Sequence, residues 1–281
     1  MEVLDTALST LVYLASCFFL FFIGKVVYQL FHRKINVKDE LVEKDNLAFA
    51  VAHTGYFVGL LLAIGSAIIG PSMGMQQDLI DIFVYGLLAI ILLNLSIFIN
   101  DKLILRKFSV YKEIVEDRNV GTGVIEGANS VATGLIILGA ISGDGSILTA
   151  LIFWAIGQVL LLVTELMYNL ITPYDIHEHI EKDNVAVGIG FAGAMISIGN
   201  VIRFALMHDF VSWEDSMINI AINVGIGLLF LPLVRILTDK ILLPGQKLTD
   251  EIINQEHPNH GAALIEAFAY IGGSVLITWT L

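Results

Sequence analysis

The sequence predicts an all-α integral membrane protein with eight transmembrane helices. Of its 281 residues, 56% are apolar and only 15% are charged, and the mean hydropathy is +0.80. Soluble domains carry about a quarter charged residues. The apolar runs reach the ~20 residues that a helix needs to cross a bilayer, and their continuity favours helices over the alternating strands of a barrel. The predicted spans cover roughly residues 8–31, 46–70, 79–100, 119–141, 146–170, 184–207, 216–238 and 259–281.

Lys and Arg residues are confined to the loops that follow the odd-numbered spans and to the adjacent ends of those spans. The opposite loops and both termini contain none, and Arg203 alone lies near that side. Because positively charged loops stay in the cytoplasm, the pattern predicts cytoplasmic basic loops and both termini outside. The residues that set this orientation are Lys25, Arg33, Lys34, Lys38, Lys44, Lys102, Arg106, Lys107, Lys112, Arg118, Lys182, Arg235, Lys240 and Lys247.

Each even-numbered span is preceded by the same signature, Glu-x-x-Asn, with small residues two and four positions after the Asn. The copies recur roughly every 65 to 75 residues, so the repeating unit is longer than one helix. Each unit consists of a span, a basic loop, the signature and a second span, which predicts four parallel helical hairpins. The signatures are Glu43/Asn46, Glu116/Asn119, Glu181/Asn184 and Glu256/Asn259.

The hairpins also pair into two halves. The first and third share a Tyr near the end of the odd-numbered span, and the second and fourth share an Asp-Lys pair there. We therefore predict two pseudo-symmetric four-helix halves, 1–141 and 142–281, related by an axis along the membrane normal. The matching positions are Tyr28 and Tyr168, and Asp101-Lys102 and Asp239-Lys240.

The signature with its small residues, as in Glu43–Ala50 and Glu181–Gly188, resembles that of a bacterial inner-membrane family called DUF350, also known as UPF0719 or YjfL-like. Members of that family commonly carry four spans, so the chain resembles two such proteins fused. The resemblance implies a location in the bacterial inner membrane. Through the usual neighbours of that family, the resemblance also implies a link to membrane-stress or polyamine-related proteins.

The signature Asn residues stand where the first turn of a helix leaves backbone N–H groups unpaired, so we predict that they are helix caps. The Glu three residues earlier is expected near the positive end of the same helix dipole, worth roughly 0.3–1 kcal/mol where exposed. An alternative is that the four helix N-termini converge on an anion or lipid headgroup. Small residues at four-residue spacing, such as Gly55/Gly59 and Gly123/Gly127, predict that the even-numbered helices pack closely at the centre.

Ionisable residues inside the spans form the candidate site for transport or ion coupling. Glu126 and Glu266 each lie seven residues after their cap Asn, about 10 Å along the helix. Charged groups at such depth usually face a bundle interior or a wet cavity. The predicted layer consists of Lys25, His53, Glu126, Glu165, Arg235 and Glu266.

Two interpretations of this layer remain open. In the first, Lys25 and Arg235 neutralise two of the three acids and the layer is structural. In the second, an unpaired acid handles protons or cations, and we expect that acid to be Glu126 or Glu266. Amides deeper in the odd-numbered spans fit either a path or helix-to-helix hydrogen bonds. They are Asn94, Gln158, Asn219 and Asn223.

The sequence favours no enzymatic activity and no cofactor. It contains no nucleophile elbow, zinc-protease motif, phosphate loop or dinucleotide fingerprint. The solitary Cys17 excludes a cysteine metal cluster. Loop histidines with neighbouring acids leave a metal site as a minor alternative, because such a site needs three or four convergent ligands. These residues are His177, Glu178, His179, Glu181, Glu256, His257 and His260.

We therefore predict a channel or transporter for an ion or small solute, with the charged layer as its gate or coupling site. The alternative is a scaffold in the bilayer, whose basic loops recruit anionic lipid or a cytoplasmic protein at about 1 kcal/mol per basic residue. Its test residues are Arg33, Lys34, Arg106 and Lys107. An intramembrane enzyme ranks last, and no nucleic-acid partner is expected. The duplicated halves resemble a fused dimer, so a monomer could suffice, and the sequence leaves a homo-oligomer open.

Overall fold

The computed structural model describes residues 2–70, 72–103, 109–143, 145–243 and 245–281. Within these ranges the regular elements are all helical, and eight of the helices are long and apolar enough to cross a membrane, which confirms the predicted spans. In chain order they are α1 (Glu2–Phe31), α2 (Leu47–Gly65), α3 (Met75–Leu103), α4 (Val120–Ser142), α5 (Ile147–Ile171), α6 (Val185–Leu206), α7 (Trp213–Leu237) and α8 (His260–Thr280).

A short helix precedes each even-numbered helix and leads into its cap Asn. Three of these caps directly follow a non-glycine residue with positive φ, which is 49° at Asp45, 56° at Arg118 and 59° at Asp183. The left-handed residue reverses the chain between the short helix and the long one. The fourth copy has Pro258 there, whose ring holds φ near −65°, so this junction is built differently. The short helices are Asp39–Glu43, Lys112–Glu116, Ile176–Glu181 and Leu248–Ile252.

The eight long helices form two layers. The even-numbered helices make one row in the order α2, α4, α6, α8, in which each helix packs extensively on the next. The odd-numbered helices lie over this row, so that α3 contacts both α2 and α4, α5 contacts α4 and α6, and α7 contacts α6 and α8. The predicted packed centre of even-numbered helices is therefore confirmed, and α4 and α6 are its most buried members.

Glycines allow the helices of this row to touch through their backbones. A Cβ atom on Gly55 would lie 2.2 Å from the Cα of Gly127, and one on Gly123 would lie 2.3 Å from the carbonyl oxygen of Ala48. The same holds between the halves, where a Cβ on Gly188 would lie 2.8 Å from the carbonyl oxygen of Gly121. Such contacts suit helices in lipid, where close van der Waals packing replaces the hydrophobic effect between helices.

Large apolar side chains cover the outside of the bundle. Phe18 is 66% exposed, Leu170 78% and Leu229 77%. A soluble monomer rarely exposes so much contiguous apolar surface. The exposed belt and the eight long helices together make this a multi-pass membrane protein.

The backbone contact at Gly55 gives a direct test of the row. Gly55→Ala places a methyl group against the α4 backbone, so we expect a loss of stability of about 1–3 kcal/mol through overpacking. Thermal unfolding of the purified protein in detergent measures it. Gly65→Ala is the matched control on the same helix, because a Cβ there meets nothing within 4 Å. Equal unfolding temperatures for the two variants would contradict the packing described above.

Candidate functional site

Two acidic side chains from different helices meet in the first half of the chain. Asp101 near the end of α3 and Glu126 in α4 interact directly, and Glu126 also interacts with Asn129 one turn further along α4. Glu126 is 9% exposed. In the described part of the chain no Lys or Arg forms an ion pair with either acid. Among the residues that the structure describes, the pair therefore has no cationic partner.

The Asp101/Glu126 pair lines a cavity of about 460 Å³ at the end of the bundle that carries the cap residues, which we call the capped end. Tyr28 and His32 from the end of α1 lie on one side of this cavity, together with the exposed Arg33. Burial lowers the pKa of His32, so this imidazole is neutral near neutral pH. The cavity thus joins two buried carboxyl groups to a polar entrance.

A hydrogen-bonded network leads from the acids into the bundle. The Asn100 side-chain amide donates to Asn129 Oδ1 at 2.8 Å and to Gln158 Oε1 at 3.1 Å, linking α3, α4 and α5. Four polar atoms of the network have no hydrogen-bond partner among the described residues, and each is buried: Asp101 Oδ1, Glu126 Oε2, Asn100 Oδ1 and Gln158 Nε2. Buried polar groups normally find partners, so this line of groups is suited to water or a cation.

His53 occupies the position in α2 that corresponds to Glu126. It is 3% exposed and packs among aromatic rings, with centroid distances of 4.6 Å to Tyr28 and 4.4 Å to Phe57. Its Nδ1 atom has no hydrogen-bond partner in the described structure. His53 therefore sits within an aromatic cluster, and two of the rings that it contacts, Tyr28 and Phe49, line the cavity.

The second half replaces the acid pair with an ion pair. Arg235 Nη1 in α7 lies 2.9 Å from Glu266 Oε1 in α8, and these side chains are 10% and 0% exposed. The Tyr168 hydroxyl donates to the same oxygen at 3.3 Å, and Gly190 leaves the space that the carboxylate fills. Of the two pairings in the structural interpretation, the one that involves Arg235 is present, and the one that involves Lys25 is not among the ion pairs of the described residues. The Arg235/Glu266 pair thus includes its own cation, whereas no described Lys or Arg forms an ion pair with Asp101 or Glu126.

The other two members of the predicted layer lie apart from these pairs. Glu165 is 8% exposed in α5, and its Oε1 has no hydrogen-bond partner in the residues described. Lys25 is exposed on α1, and the ion pairs found in the described ranges do not include it. The structure therefore does not bring the six residues together as one belt.

All four signature Asn residues cap their helices, as predicted. Each side-chain oxygen accepts a hydrogen bond from the backbone N–H three residues later. Three of the caps also donate to the short helix of the next repeat: Asn46 to the Ile114 carbonyl at 2.8 Å, Asn119 to Ile180 at 2.7 Å and Asn184 to Ile252 at 2.9 Å. The cap residues thus connect consecutive repeats.

The acids that hold these caps differ from the signature acids. Asn46 donates to Glu40 Oε2 at 2.9 Å, and Asn119 donates to Glu113 Oε2 at 3.0 Å. Burial would raise the pKa of Glu40, but hydrogen bonds from Lys44 and Asn46 lower it below its usual value. Glu43, Glu116, Glu181 and Glu256 are all exposed.

The remaining residues predicted to act in transport, lipid binding or metal binding are not part of the two charged pairs. Arg33 and Lys34 are exposed, while Arg106 and Lys107 lie outside the described residues. In the ranges that the structure describes, no group of three or more His, Cys, Asp or Glu side chains is arranged for a metal ion. The predicted deep amides Asn94 and Gln158 make helix-to-helix hydrogen bonds, Asn94 with the Tyr56 hydroxyl at 3.2 Å.

A second polar cavity lies at the opposite end of the first half. It has a volume of about 370 Å³ and is lined by Asp78, Asp81 and Tyr85 of α3 and by Tyr13 of α1. Asp78 accepts hydrogen bonds from Tyr13 at 2.6 Å and from Ser72 at 2.5 Å. Polar groups thus mark both ends of α3, with a buried apolar stretch between them that includes Ala89, Ile90 and Leu93.

Comparison with known proteins identifies the family. The sequence model of the family described as "Domain of Unknown Function (DUF350)" matches residues 2–141 and again residues 144–281. The chain belongs to the DUF350 family. It is also 25% identical, over 203 residues, to a UPF0719 transmembrane protein of Aquifex aeolicus (strain VF5), an alignment covering 71% of this chain and 73% of that protein. No protein of solved structure matches it.

Three acids of this tandem DUF350 chain were not among the predicted site residues. Glu40 and Glu113 contact cap asparagines, and Asp101 contacts Glu126. Glu40 and Glu113 both lie six residues before their cap Asn, so the common spacing was a usable signal. Asp101 belongs to the Asp-Lys pair that recurs as Asp239-Lys240. That recurrence marked the position, but its proximity to Glu126 depends on how α3 and α4 pack.

Replacing the cap Asn by Ala is expected to cost different amounts of stability in different repeats of this DUF350 chain. Asn259→Ala removes an exposed cap and is expected to cost about 1 kcal/mol. Asn119→Ala also leaves the Ile180 carbonyl and buried Glu113 without their donor, adding roughly 1–3 kcal/mol. Thermal unfolding of the two variants, side by side, measures the difference. Equal losses would show that the bonds between repeats contribute nothing.

The Arg235/Glu266 pair predicts a compensating double variant. Arg235→Met leaves the Glu266 carboxylate buried without its cation, with an expected loss of about 3–5 kcal/mol. Adding Glu266→Gln removes the stranded charge and should restore most of the stability. Denaturation of wild type, both single variants and the double variant gives the coupling energy. Additive effects of the two substitutions would rule out a stabilising ion pair.

Proposed function

We propose that this protein moves a monovalent cation or proton across the membrane, using the Asp101/Glu126 pair as its binding site. The supporting observation is the contrast between the halves: Glu266 has Arg235 as a built-in counter-ion, whereas Glu126 faces another acid. Two adjacent carboxylates repel each other in a site with little water. Sharing a proton or binding a cation relieves that repulsion.

The surroundings of the acids support an exchangeable ligand. The pair borders a cavity of about 460 Å³, which gives a cation access from the capped end. The Asn129, Asn100 and Gln158 side chains supply neutral oxygen and nitrogen atoms beyond the acids. Amide oxygens can replace part of a cation's hydration shell without adding charge.

A transport path requires the central apolar stretch of α3 to open or hydrate. Tyr85 in the far cavity and Asn94 are nine residues apart, or about 13 Å along a helix. Ala89, Ile90 and Leu93 fill this interval and are each at most 1% exposed. The path is therefore closed in this conformation, and the two polar cavities are its proposed end chambers.

For the topology we propose four parallel hairpins in the bacterial inner membrane, with the capped end in the cytoplasm and both termini outside. The Lys and Arg distribution supports this orientation. The two halves then share one orientation and differ in charge, the first holding the acid pair and the second the ion pair.

The scaffold hypothesis is the second candidate, and exposed basic side chains at the capped end favour it. Arg33 and Lys34 are exposed and line the first cavity, and Lys38 is exposed four residues further along the chain. In the proposed orientation they face anionic headgroups, each worth about 1 kcal/mol near the surface. Binding of this kind does not require Asp101 or Glu126.

Flux through purified protein in liposomes tests the transport proposal. We expect wild-type protein to dissipate an imposed pH or monovalent-cation gradient, and Glu126→Gln or Asp101→Asn to slow this at least tenfold, because either change removes a charge from the binding pair. A pH-sensitive dye inside the liposomes follows the pH change, and separate experiments with a pH, a potassium or a sodium gradient show which ion is transported. Glu116→Gln is the matched control, since it removes one exposed carboxylate at the same end.

Two results would overturn the proposal. In the first, wild-type liposomes match empty ones in every gradient. In the second, Glu126→Gln and Asp101→Asn retain full flux while eluting as folded protein. Sedimentation with anionic vesicles then tests the scaffold function. That function predicts that Arg33→Glu with Lys34→Glu abolishes binding and that the acid variants bind normally.

A further inference from the structure

The row of even-numbered helices ends in two unequal edges. At one edge Asn259 caps α8 and is exposed, whereas Asn46, Asn119 and Asn184 are 1%, 3% and 8% exposed beneath the next repeat. At the other edge the short helix Asp39–Glu43 precedes α2, and within the described residues no cap Asn of another repeat donates to it. The Asn259 amide donates to Glu251 Oε2 at 2.8 Å, and in the described structure it has no bond to a carbonyl of another repeat, unlike the other three caps.

We propose that a second copy of this chain continues the row, with the α1/α2 edge of one copy docked on the α7/α8 edge of the next. The contact is head to tail, so successive copies form a closed ring if the rotation between them allows it. Asn259 of one copy then donates to the Leu41 carbonyl of its neighbour. Leu41 corresponds to Ile114, which receives the Asn46 amide within the chain.

The interface between the two halves is the template for this contact. Inside the chain, the last even-numbered helix of the first half, α4, packs on the first of the second half, α6. Counted from the cap Asn, α8 corresponds to α4, and α2 corresponds to α6. The proposed contact of α8 with α2 therefore repeats an interface that this fold already makes, including its hydrogen bond from Asn119 to Ile180.

Side-chain sizes at the two edges complement each other. At the interface between the halves, Gly139 of α4 contacts the backbone of Arg203 of α6. Counted from the cap Asn, Trp279 of α8 corresponds to Gly139, and Gly65 of α2 corresponds to Arg203. Trp279 is 78% exposed, and the space next to Gly65 is open, with nothing within 4 Å of a Cβ. Likewise Leu61, 59% exposed, stands opposite Gly272 in the aligned register. Each large residue on one edge thus faces a glycine on the other.

A groove between α7 and α8 provides the place for α1 of the neighbouring copy. It has a volume of about 550 Å³ and is lined by Phe230, Val234, Phe268, Gly272 and Trp279, among others. Within the chain the equivalent groove, between α3 and α4, holds α5, the first helix of the second half. The helix α1 begins the first half in the same way, and only 17% of its span is buried, the lowest share of the eight.

Disulfide trapping between copies tests the contact. In a Cys17→Ser background, Ala50→Cys and Gly261→Cys are made as separate variants with different tags, because their counterparts Gly188 and Gly121 touch within the chain. Co-expressed membranes are oxidised with copper phenanthroline. We expect a mixed disulfide dimer at least tenfold above the dimer that either variant forms alone. Native mass spectrometry of the unmodified protein then counts the copies.

A tryptophan placed inside the proposed contact is compared with one placed outside it. Gly272→Trp, introduced into the Gly261→Cys partner, should reduce the mixed dimer at least tenfold. Gly225→Trp should leave it unchanged, since a Cβ there meets nothing within 4 Å and this position of α7 points about half a turn away from Val234 in the groove.

Three outcomes overturn the proposal. In the first, folded Ala50→Cys and Gly261→Cys proteins give no mixed dimer above the single variants. In the second, Gly261→Cys alone cross-links as strongly as the mixture, which indicates a symmetric contact through α8. In the third, Gly272→Trp and Gly225→Trp behave alike, which indicates collisions in the membrane and no specific interface.

Discussion

The structure depends on the close parallel packing of the even-numbered helices, in which glycine backbones touch and cap asparagines bridge consecutive repeats. Lipid surrounds the bundle, so burial of apolar surface between helices adds little, and short contact distances must hold the row together. Gly55 against Gly127 and Gly188 against Gly121 provide those distances. The Asn119 bond to Ile180 fixes the same register at the helix ends.

That packing also decides where charge can reside. Because the glycines bring α2, α4, α6 and α8 together, side chains seven residues after each cap are enclosed by neighbouring helices, as at His53, Glu126 and Glu266. A buried carboxyl group there needs a partner. In the second half Arg235 supplies it, and in the first half Asp101 adds a second acid instead. Among the described residues, the two halves thus differ at this position: one buried acid is paired with an arginine, and the other has a second acid as its neighbour.

The first and last helices of the row, α2 and α8, each have one side that no further even-numbered helix of the described structure covers. A repeat stacked on its neighbours buries both faces, while terminal repeats expose one. Here the terminal faces retain the features of internal ones, namely an uncovered cap at Asn259 and an apolar groove along α7 and α8.

The sequence by itself determined the spans, the four caps and the small-residue faces, because hydropathy, capping and helix periodicity are local properties of a few turns. It also placed Glu126 and Glu266 at equal depth. The tertiary structure alone decided which groups meet. Lys25 and Tyr28 are three residues apart on α1, yet Tyr28 is buried beside the cavity and Lys25 is exposed. Asp101 reaches Glu126 because of the way α3 is turned about its own axis. Successive side chains on a helix point about 100° apart, so a different rotation of α3 would bring a neighbouring residue to Glu126. The packing of the whole bundle sets that rotation.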